Sequence, residues 1–350
     1  MIKRNRPVRV LIVDDSALVR HILSEGMRRE PQIEVVGLAS NPYAARDLMV
    51  NLRPDVITLD VEMPRMDGVT FLKRFMPVMP IPTVIISSLT QQGQRITLEA
   101  LESGAVDVIP KPQLGLVDEL PKLLEDINRR VIAAADVNVG YFKQQRHQDI
   151  EVVAALGQTT DKVIAIGAST GGVEALTRIM PAFPANAPGI VIVQHMPAGF
   201  TRTFAERMNS ISAMQVKEAE DGDRILPGLA LLAPGGLRHL TVVRSGGQYR
   251  VRLSEGAAVN YSLPSVDVMF KSVAQAVGVN AAAAVLTGMG KDGAEGLLGI
   301  RQAGGRTVVQ DETTSLVFGM PQVAFKLGGA ESMAPLEKIP SLLVCALQRS

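Results

Sequence analysis

A hydroxyl, an imidazole and a carboxylate stand at corresponding places in the second half of this 350-residue chain: Ser169, His195 and Asp292 each follow a short apolar run. Ser169 lies in Gly167-Ala168-Ser169-Thr170-Gly171, which matches the G-x-S-x-G elbow. In that turn the glycines let the backbone bend sharply, and free N–H groups at the helix start can bind an oxyanion. A serine attacks a carbonyl only when a base takes its proton and a third group holds that base. On its own the pentapeptide also reads as a Ser/Thr cap on a βα loop. His195 after a second apolar run and Asp292 after a third supply the base and its orienter. Their chain order is not the Ser, Asp, His order of the α/β-hydrolases.

The first half carries a different set: Asp14 and Asp15, Asp60, the pair Ser87-Ser88, and Lys111. Three carboxylates converging on one point repel each other unless a hard cation sits among them. Mg²⁺ fits, because it takes a few carboxylates and keeps positions open for phosphate oxygens. Lys111 adds a point charge and Ser87, which directly follows an apolar strand, a hydroxyl donor for an anion arriving at Asp60. A nucleophilic carboxylate beside Mg²⁺ is how an aspartyl phosphate forms. Singly these residues read as caps or loop polar groups; together at successive strand ends they read as a site.

The elements that must position both sets follow from the hydrophobic pattern. Val8–Val13, Ile33–Ala39, Val56–Leu59, Thr83–Ile86 and Val106–Ile109 alternate with helical patterns and predict one open, mostly parallel sheet with functional groups at its carboxyl edge. Arg129-Arg130 close a helix, and 129–159 read as a polar linker containing a solvated His147. From 160 onward the runs Val163–Ile166, Ala187–Gln194 and Asn280–Thr287 predict buried strands. Leu226–Leu253 predicts an antiparallel hairpin added to the sheet edge, with His239 structural. Ser265 is expected to cap a helix that holds Asp267 in its first turn.

Composition excludes some classes. Thirty-six basic and 35 acidic residues give a net charge of +1, with no Trp and four Tyr, so neither an electrostatic nor a stacking case exists for nucleic acid. The one cysteine, Cys345, forms no internal disulfide, which suits a reducing cytoplasm. The basic N-terminus runs into Asp14-Asp15 after the short stretch Val8–Val13, which is neither a leader nor a membrane span. A dinucleotide enzyme is the competing reading, because Gly288-Met289-Gly290-Lys291-Asp292-Gly293 matches G-x-G-x-x-G and Asp311 follows near the spacing of a ribose-binding acid. Against it, Asp292 at the helix start would repel a pyrophosphate.

Two resemblances organise these observations. Leu11 to Ser16, Thr58 to Gly68 and Ile109 to Pro112 resemble a two-component response-regulator receiver domain. The segments 166–172, 193–197, 264–267, 286–296 and 311–321 resemble the catalytic domain of the CheB-type chemotaxis protein-glutamate methylesterases. The likeness implies two doubly wound α/β domains: a flavodoxin-like receiver over 1–128 and a Rossmann-like esterase over 160–350. It makes Asp60 the phosphoacceptor, Asp14, Asp15 and the Glu62 carbonyl the Mg²⁺ ligands with it, Ser87 the switch hydroxyl and Lys111 the phosphate contact. In the esterase it implies Ser169 as nucleophile, His195 as general base, Asp292 as orienter and the Thr170 and Met289 N–H groups as oxyanion donors, with no cofactor. The implied substrate is a methylated chemoreceptor, and the implied phosphodonor a sensor histidine kinase. The unphosphorylated receiver is expected to cover the site, and some relatives also deamidate receptor glutamines. Leu263 departs from the pattern, which leads one to expect a basic residue before Pro264.

Overall fold

The structure, a computed structural model, describes residues 6–88, 90–112, 120–137 and 161–348. The expected linker falls largely outside the described residues, and His147 wholly so. Contacts divide the chain into two units, Met1–Arg146 and His147–Ser350.

The first unit is a five-stranded sheet of β1 (Val8–Val13), β2 (Ile33–Ala39), β3 (Val56–Asp60), β4 (Thr83–Ser87) and β5 (Asp107–Pro110), in the order β2-β1-β3-β4-β5. Every pairing is parallel. This order is the flavodoxin-like one, whose ligand crevice opens at the carboxyl ends of β1 and β3. Helices α1 (Ala17–Arg28), α2 (Pro42–Leu52), α3 (Gly68–Phe75), α4 (Gln91–Glu102) and α5 (Leu120–Ala134) connect and flank the strands. The strands form here because β-branched and aliphatic residues fill both faces: all five residues of β3 and of β4 are buried. Ser16, Asn41, Asp67 and Thr90 cap the first four helices through side-chain oxygens. The helix expected to close at Arg129-Arg130 continues to Ala134. Arg130 does not end it, because its guanidinium turns inward to pair with Asp107 and with Asp126 one turn back.

The second unit holds seven parallel strands in the order β14-β13-β12-β6-β7-β9-β8. These are β6 (Val163–Ala168), β7 (Gly189–Gln194), β8 (Gln215–Glu218), β9 (Leu229–Leu232), β12 (Ala281–Val285), β13 (Arg306–Gln310) and β14 (Ser332–Ala334). The chain builds outward from β6 through β7, then returns to the other side of β6 as β12. The order therefore reverses beside β6, and ligands bind at such switch points. Helices α6 (Gly172–Ile179), α7 (Phe200–Ile211), α8 (Val266–Ala276), α9 (Ala294–Gln302), α10 (Met320–Lys326) and α11 (Ile339–Gln348) complete the unit.

The hairpin expectation needs correcting. β10 (His239–Ser245) and β11 (Gln248–Ser254) do pair antiparallel, but as a separate two-stranded sheet and not at the edge of the large one. Their inner residues Leu240, Val242, Tyr249 and Val251 join the core cluster that contains Met269, Phe270 and Val273 of α8. Leu231 and Leu232, read as part of the hairpin, lie instead in β9, parallel to both β7 and β8. The burial patterns give the reason: Ala230 to Leu232 are buried in succession, as an interior parallel strand requires. β10 and β11 bury one face and leave the other open. Among the described residues no helix is long and apolar enough to cross a membrane.

Candidate functional site

Ser169 is the first residue past β6, and His195 the first past β7. The two strands are in register up to Ala168 and Gln194, and the His195 N–H donates to the Ala168 carbonyl at 3.1 Å. Serine and histidine thus leave adjacent rungs of one ladder. On the other side of β6, β12 pairs Val285 with Gly167, and the loop after it carries Asp292.

Two glycines of the pentapeptide have separate reasons. Gly171, at the N-cap of α6, has φ +79°, a left-handed conformation that side chains rarely adopt. The sharp turn is therefore made there and not at Ser169. A Cβ on Gly167 would lie 2.2 Å from Val266 Cγ1, so its absence lets the start of α8 settle onto the end of β6.

That seating builds the carboxylate's environment. Asp292 is 2% exposed, and its oxygens accept from Ser265 Oγ at 2.7 Å, Val266 N at 2.7 Å and Asp267 N at 3.1 Å. It therefore sits on the N-terminus of α8, where unpaired N–H groups and the helix dipole favour negative charge. Asn260 Nδ2 adds a contact at 3.3 Å, and His195 Nε2 lies 2.9 Å from Asp292 Oδ2. Burial alone would raise the Asp292 carboxyl, but His195, Ser265 and Val266 together hold it below the usual range. A carboxylate kept ionised against an imidazole fixes the ring and stabilises its protonated form.

The other ring nitrogen, Nδ1, lies 3.3 Å from Ser262 Oγ and is not bonded to Ser169 in this form. Ser169 is partly buried, and its backbone is held by Ser169 N to Thr287 O at 3.0 Å and by Gly172 N to Ser169 O at 2.7 Å. Thr170 opens the turn into α6. Gly288, the residue before Met289, packs on the serine: its ideal Cβ would lie 2.8 Å from Ser169 Cβ.

The residue pattern had assigned no role to Gln194, Asn260 or Ser262, and to Ser265 only that of the helix cap it proves to be. Gln194 is buried and donates to the carbonyls of Ser169 at 2.9 Å and His195 at 3.2 Å. Asn260 bridges Asp292 and Asp267, Ser262 reaches the imidazole, and Ser265 both caps α8 and donates to Asp292. The motif around 264–267 was the available signal for the last of these. Asp311, the ribose-binding acid of the dinucleotide reading, spends its carboxylate on Thr314 N, Thr313 Oγ1 and Thr314 Oγ1. That reading loses its one acid, and Asp292, which stood against it, is engaged with the start of α8. His239 is structural: Nε2 lies 3.0 Å from Ala257 O and Nδ1 accepts from Ser265 N at 3.1 Å.

In the first unit, Asp14, Asp15 and Asp60 offer oxygens within 4.8 Å of one another. Asp60 ends β3 fully buried, and Lys111 Nζ lies 2.6 Å from its Oδ2 and 3.2 Å from Asp14 Oδ2. Burial pushes the Asp60 carboxyl up to about 6 against the hydrogen bond from Lys111, and Asp14 pushes the same way as burial. Asp14 Oδ2 is buried with the Lys111 ammonium at 3.2 Å as its neighbour, while Asp15 is exposed. Hard oxygens crowded together and open on one side fit Mg²⁺. Glu62 donates its N–H to Asp60 Oδ1 at 3.1 Å, and its side chain accepts from Ser88 Oγ at 2.7 Å and Thr90 Oγ1 at 3.2 Å. The Ser87 hydroxyl turns away from Asp60, accepting from Thr97 Oγ1 at 2.8 Å and donating to Ser88 O at 3.3 Å. Among the described residues, Leu263–Pro264 is a cis peptide bond.

Comparison with known proteins agrees with both halves of this geometry. Residues 164–343 match the CheB methylesterase family model, and residues 10–125 match the response regulator receiver domain. The chain is 54% identical over 345 residues to the protein-glutamate methylesterase/protein-glutamine glutaminase of Syntrophotalea carbinolica, covering 97% of each. It is 51% identical over 338 residues to a protein of that name, numbered 2, in Pseudomonas aeruginosa, covering 97% of this chain and 96% of the relative. The crystal structure of the Thermotoga maritima CheB methylesterase catalytic domain superposes with a TM-score of 0.52 at 39% identity, covering 53% of this chain and 98% of that one. With a serine, an imidazole and a carboxylate on three neighbouring strand ends and an acidic pocket ahead of them, the chain belongs to the CheB methylesterase family, in the form that carries a response-regulator receiver domain.

Proposed function

We propose that this chain hydrolyses the methyl esters of glutamate side chains on chemoreceptors, releasing methanol, under the control of a phosphoryl group on Asp60. The observation that carries the reading is the imidazole of His195, held by Asp292 on one nitrogen and placed one rung from Ser169. Ser169 Oγ attacks the ester carbonyl as His195 takes its proton, and the N–H groups of Thr170 and Met289 hold the oxyanion. Methanol leaves with the proton from His195, an acyl-serine remains, and water attacks it by the same route in reverse roles. A glutamine carboxamide enters the same chemistry with ammonia as the leaving group, and the two relatives above are named for both activities.

In the receiver, over 1–128, Asp14, Asp15, Asp60 and the Glu62 carbonyl would hold Mg²⁺, which when bound neutralises charge on the arriving phosphoryl group. Asp60 is the acceptor, Lys111 contacts the phosphoryl oxygens, and Ser87 swings from Thr97 to join them. The phosphodonor is a sensor histidine kinase, and the linker over 129–159 joins the receiver to the esterase over 160–350 in the cytoplasm. The test is methanol release from methylated receptors with Mg²⁺ and acetyl phosphate. Ser169→Ala is expected to phosphorylate normally and release nothing, and Asp60→Ala to lose the response to acetyl phosphate. Turnover near wild type in the first, or a full response in the second, overturns the corresponding half of the reading.

A further inference from the structure

Three loops meet above the imidazole. Met196 to Ala198 follow His195 directly. Gly235 packs so closely on them that a Cβ there would lie 2.5 Å from Met196 O and 2.7 Å from Pro197 O. Gly236 N donates to Leu263 O at 3.0 Å, which ties the second loop to the third. The third loop, Val259–Ser262, is a two-residue turn closed by Val259 N to Ser262 O at 3.0 Å and Ser262 N to Val259 O at 2.9 Å.

Both central residues of that turn, Asn260 at φ 52° and Tyr261 at φ 64°, are left-handed. That is the pattern of a type I′ turn, which favours glycine at its second position, where a tyrosine stands here. Strain of this kind persists where the surroundings over-determine it. Here they do: Asn260 donates to Asp267 at 2.8 Å and reaches Asp292 at 3.3 Å, and Ser262 reaches His195 Nδ1 at 3.3 Å. The residue between these two anchors is thereby presented outward, with Tyr261 80% exposed. Leu237, on the adjoining loop, is 68% exposed. Two large apolar side chains thus stand out on loops laced to the acid and the base.

Resting on the function proposed above, we infer that Tyr261 and Leu237 form an apolar rim that grips the receptor segment carrying the ester. The rim is continuous with the site through Ser262 and Leu263, so a segment that delivers a methyl ester to Ser169 passes these loops. Where the ester stands on a helix, the side chains three and four positions away share its face and can reach this rim. Neither side chain touches the reacting atoms, so the rim governs binding and not the chemical step.

The experiment compares Tyr261→Ser, Leu237→Ser and the double variant with the full-length wild type, on methylated receptor and on p-nitrophenyl acetate. Both side chains are exposed, so the variants are expected to fold, and circular dichroism checks it. Each single change is expected to lower the ratio of kcat/KM on receptor to kcat/KM on the small ester by about fivefold, mostly through KM. Tyr261→Phe is expected to keep that ratio within twofold. An unchanged ratio, whether both activities fall or neither does, overturns the rim. So does an altered sedimentation coefficient with an unchanged ratio, which would make the patch a contact between copies. A wild type that cleaves the small ester and spares methylated receptor refutes the function itself, and the rim with it.

Discussion

His195 presents Nε2, not Nδ1, to Asp292, at 2.9 Å. On the proposed mechanism the nitrogen left to accept the Ser169 proton is Nδ1, which in this form lies 3.3 Å from Ser262 Oγ. A carboxylate on Nε2 keeps the proton on that atom and leaves the Nδ1 lone pair for the serine. The ring is used in the opposite sense to the serine proteases, in which Nδ1 faces the aspartate.

Replacing the acid tests that assignment. Asp292→Asn is expected to lower kcat by about three to four orders of magnitude, because a carboxamide can donate to Nε2 and so favours the wrong tautomer. The NH₂ that takes the place of Oδ2 also faces the Val266 N–H, which costs about 1–3 kcal/mol of stability. Steady-state kinetics and urea unfolding read the two effects separately.

Ser265 serves two masters, as cap of α8 and as donor to Asp292. Ser265→Ala is expected to destabilise the second unit by about 1–2 kcal/mol. The kcat loss is expected to be much smaller than in Asp292→Asn, since two backbone N–H groups still hold the carboxylate. Thermal unfolding alongside methanol release checks both.

Gly167→Ala places a methyl where Val266 Cγ1 lies 2.2 Å away. The expected outcome is a loss of about 1–3 kcal/mol together with lower activity, as the start of α8 is pushed off β6. Adding Val266→Ala vacates the space and is expected to restore part of both. Failure of that rescue would place the damage in the backbone and not in this contact.

The Asp60 carboxyl predicts a pH signature. Its pKa rises from 3.8 unfolded to about 6 folded, so between those values the folded state holds a proton that the unfolded state has released. Stability therefore falls as pH rises through that window: the penalty is absent below it and complete above it. Asp60→Asn, in Mg²⁺-free buffer, is expected to stabilise the first unit by about 2 kcal/mol at pH 7.5 and to make little difference near pH 4. Urea titrations of both proteins across pH 4–8 measure the difference, and a constant offset across that range would contradict the buried-carboxylate account.

The central strands of the first unit, β3 and β4, were legible because their residues are buried on both faces. Val8–Val13 and Ile33–Ala39 keep their predicted limits, and Asp60 and Ser87 prove to be the last residues of strands that were read as ending just before them. The three groups around Ser169 could be placed because each follows such a run. What the pattern hid depends on long-range contact. β8 is four residues with one buried, too short to show a period, and β9 looked like a hairpin arm because Pro and Gly flank it. The support beneath the acid was hidden too. Asn260 and Ser262 reach Asp292 and His195 across 32 and 67 positions, and no local spacing announces such partners. The Gln194 amide was present in a quoted motif, yet its task is to clamp two main-chain carbonyls, which its residue type alone does not reveal.

The reversal of strand order beside β6 has a consequence for how the enzyme can be altered. Ser169 and His195 hang from backbone rungs whose separation is fixed by main-chain bonding at about 4.8 Å, whereas the loops bearing Leu237 and Tyr261 hang from side branches of the same frame. On the proposed reading, reactivity is written into the scaffold and selectivity into its fringe. Grafting foreign loops at 235–237 and 259–263 with Asn260 and Ser262 retained would redirect the catalyst to a new ester while leaving its engine in place.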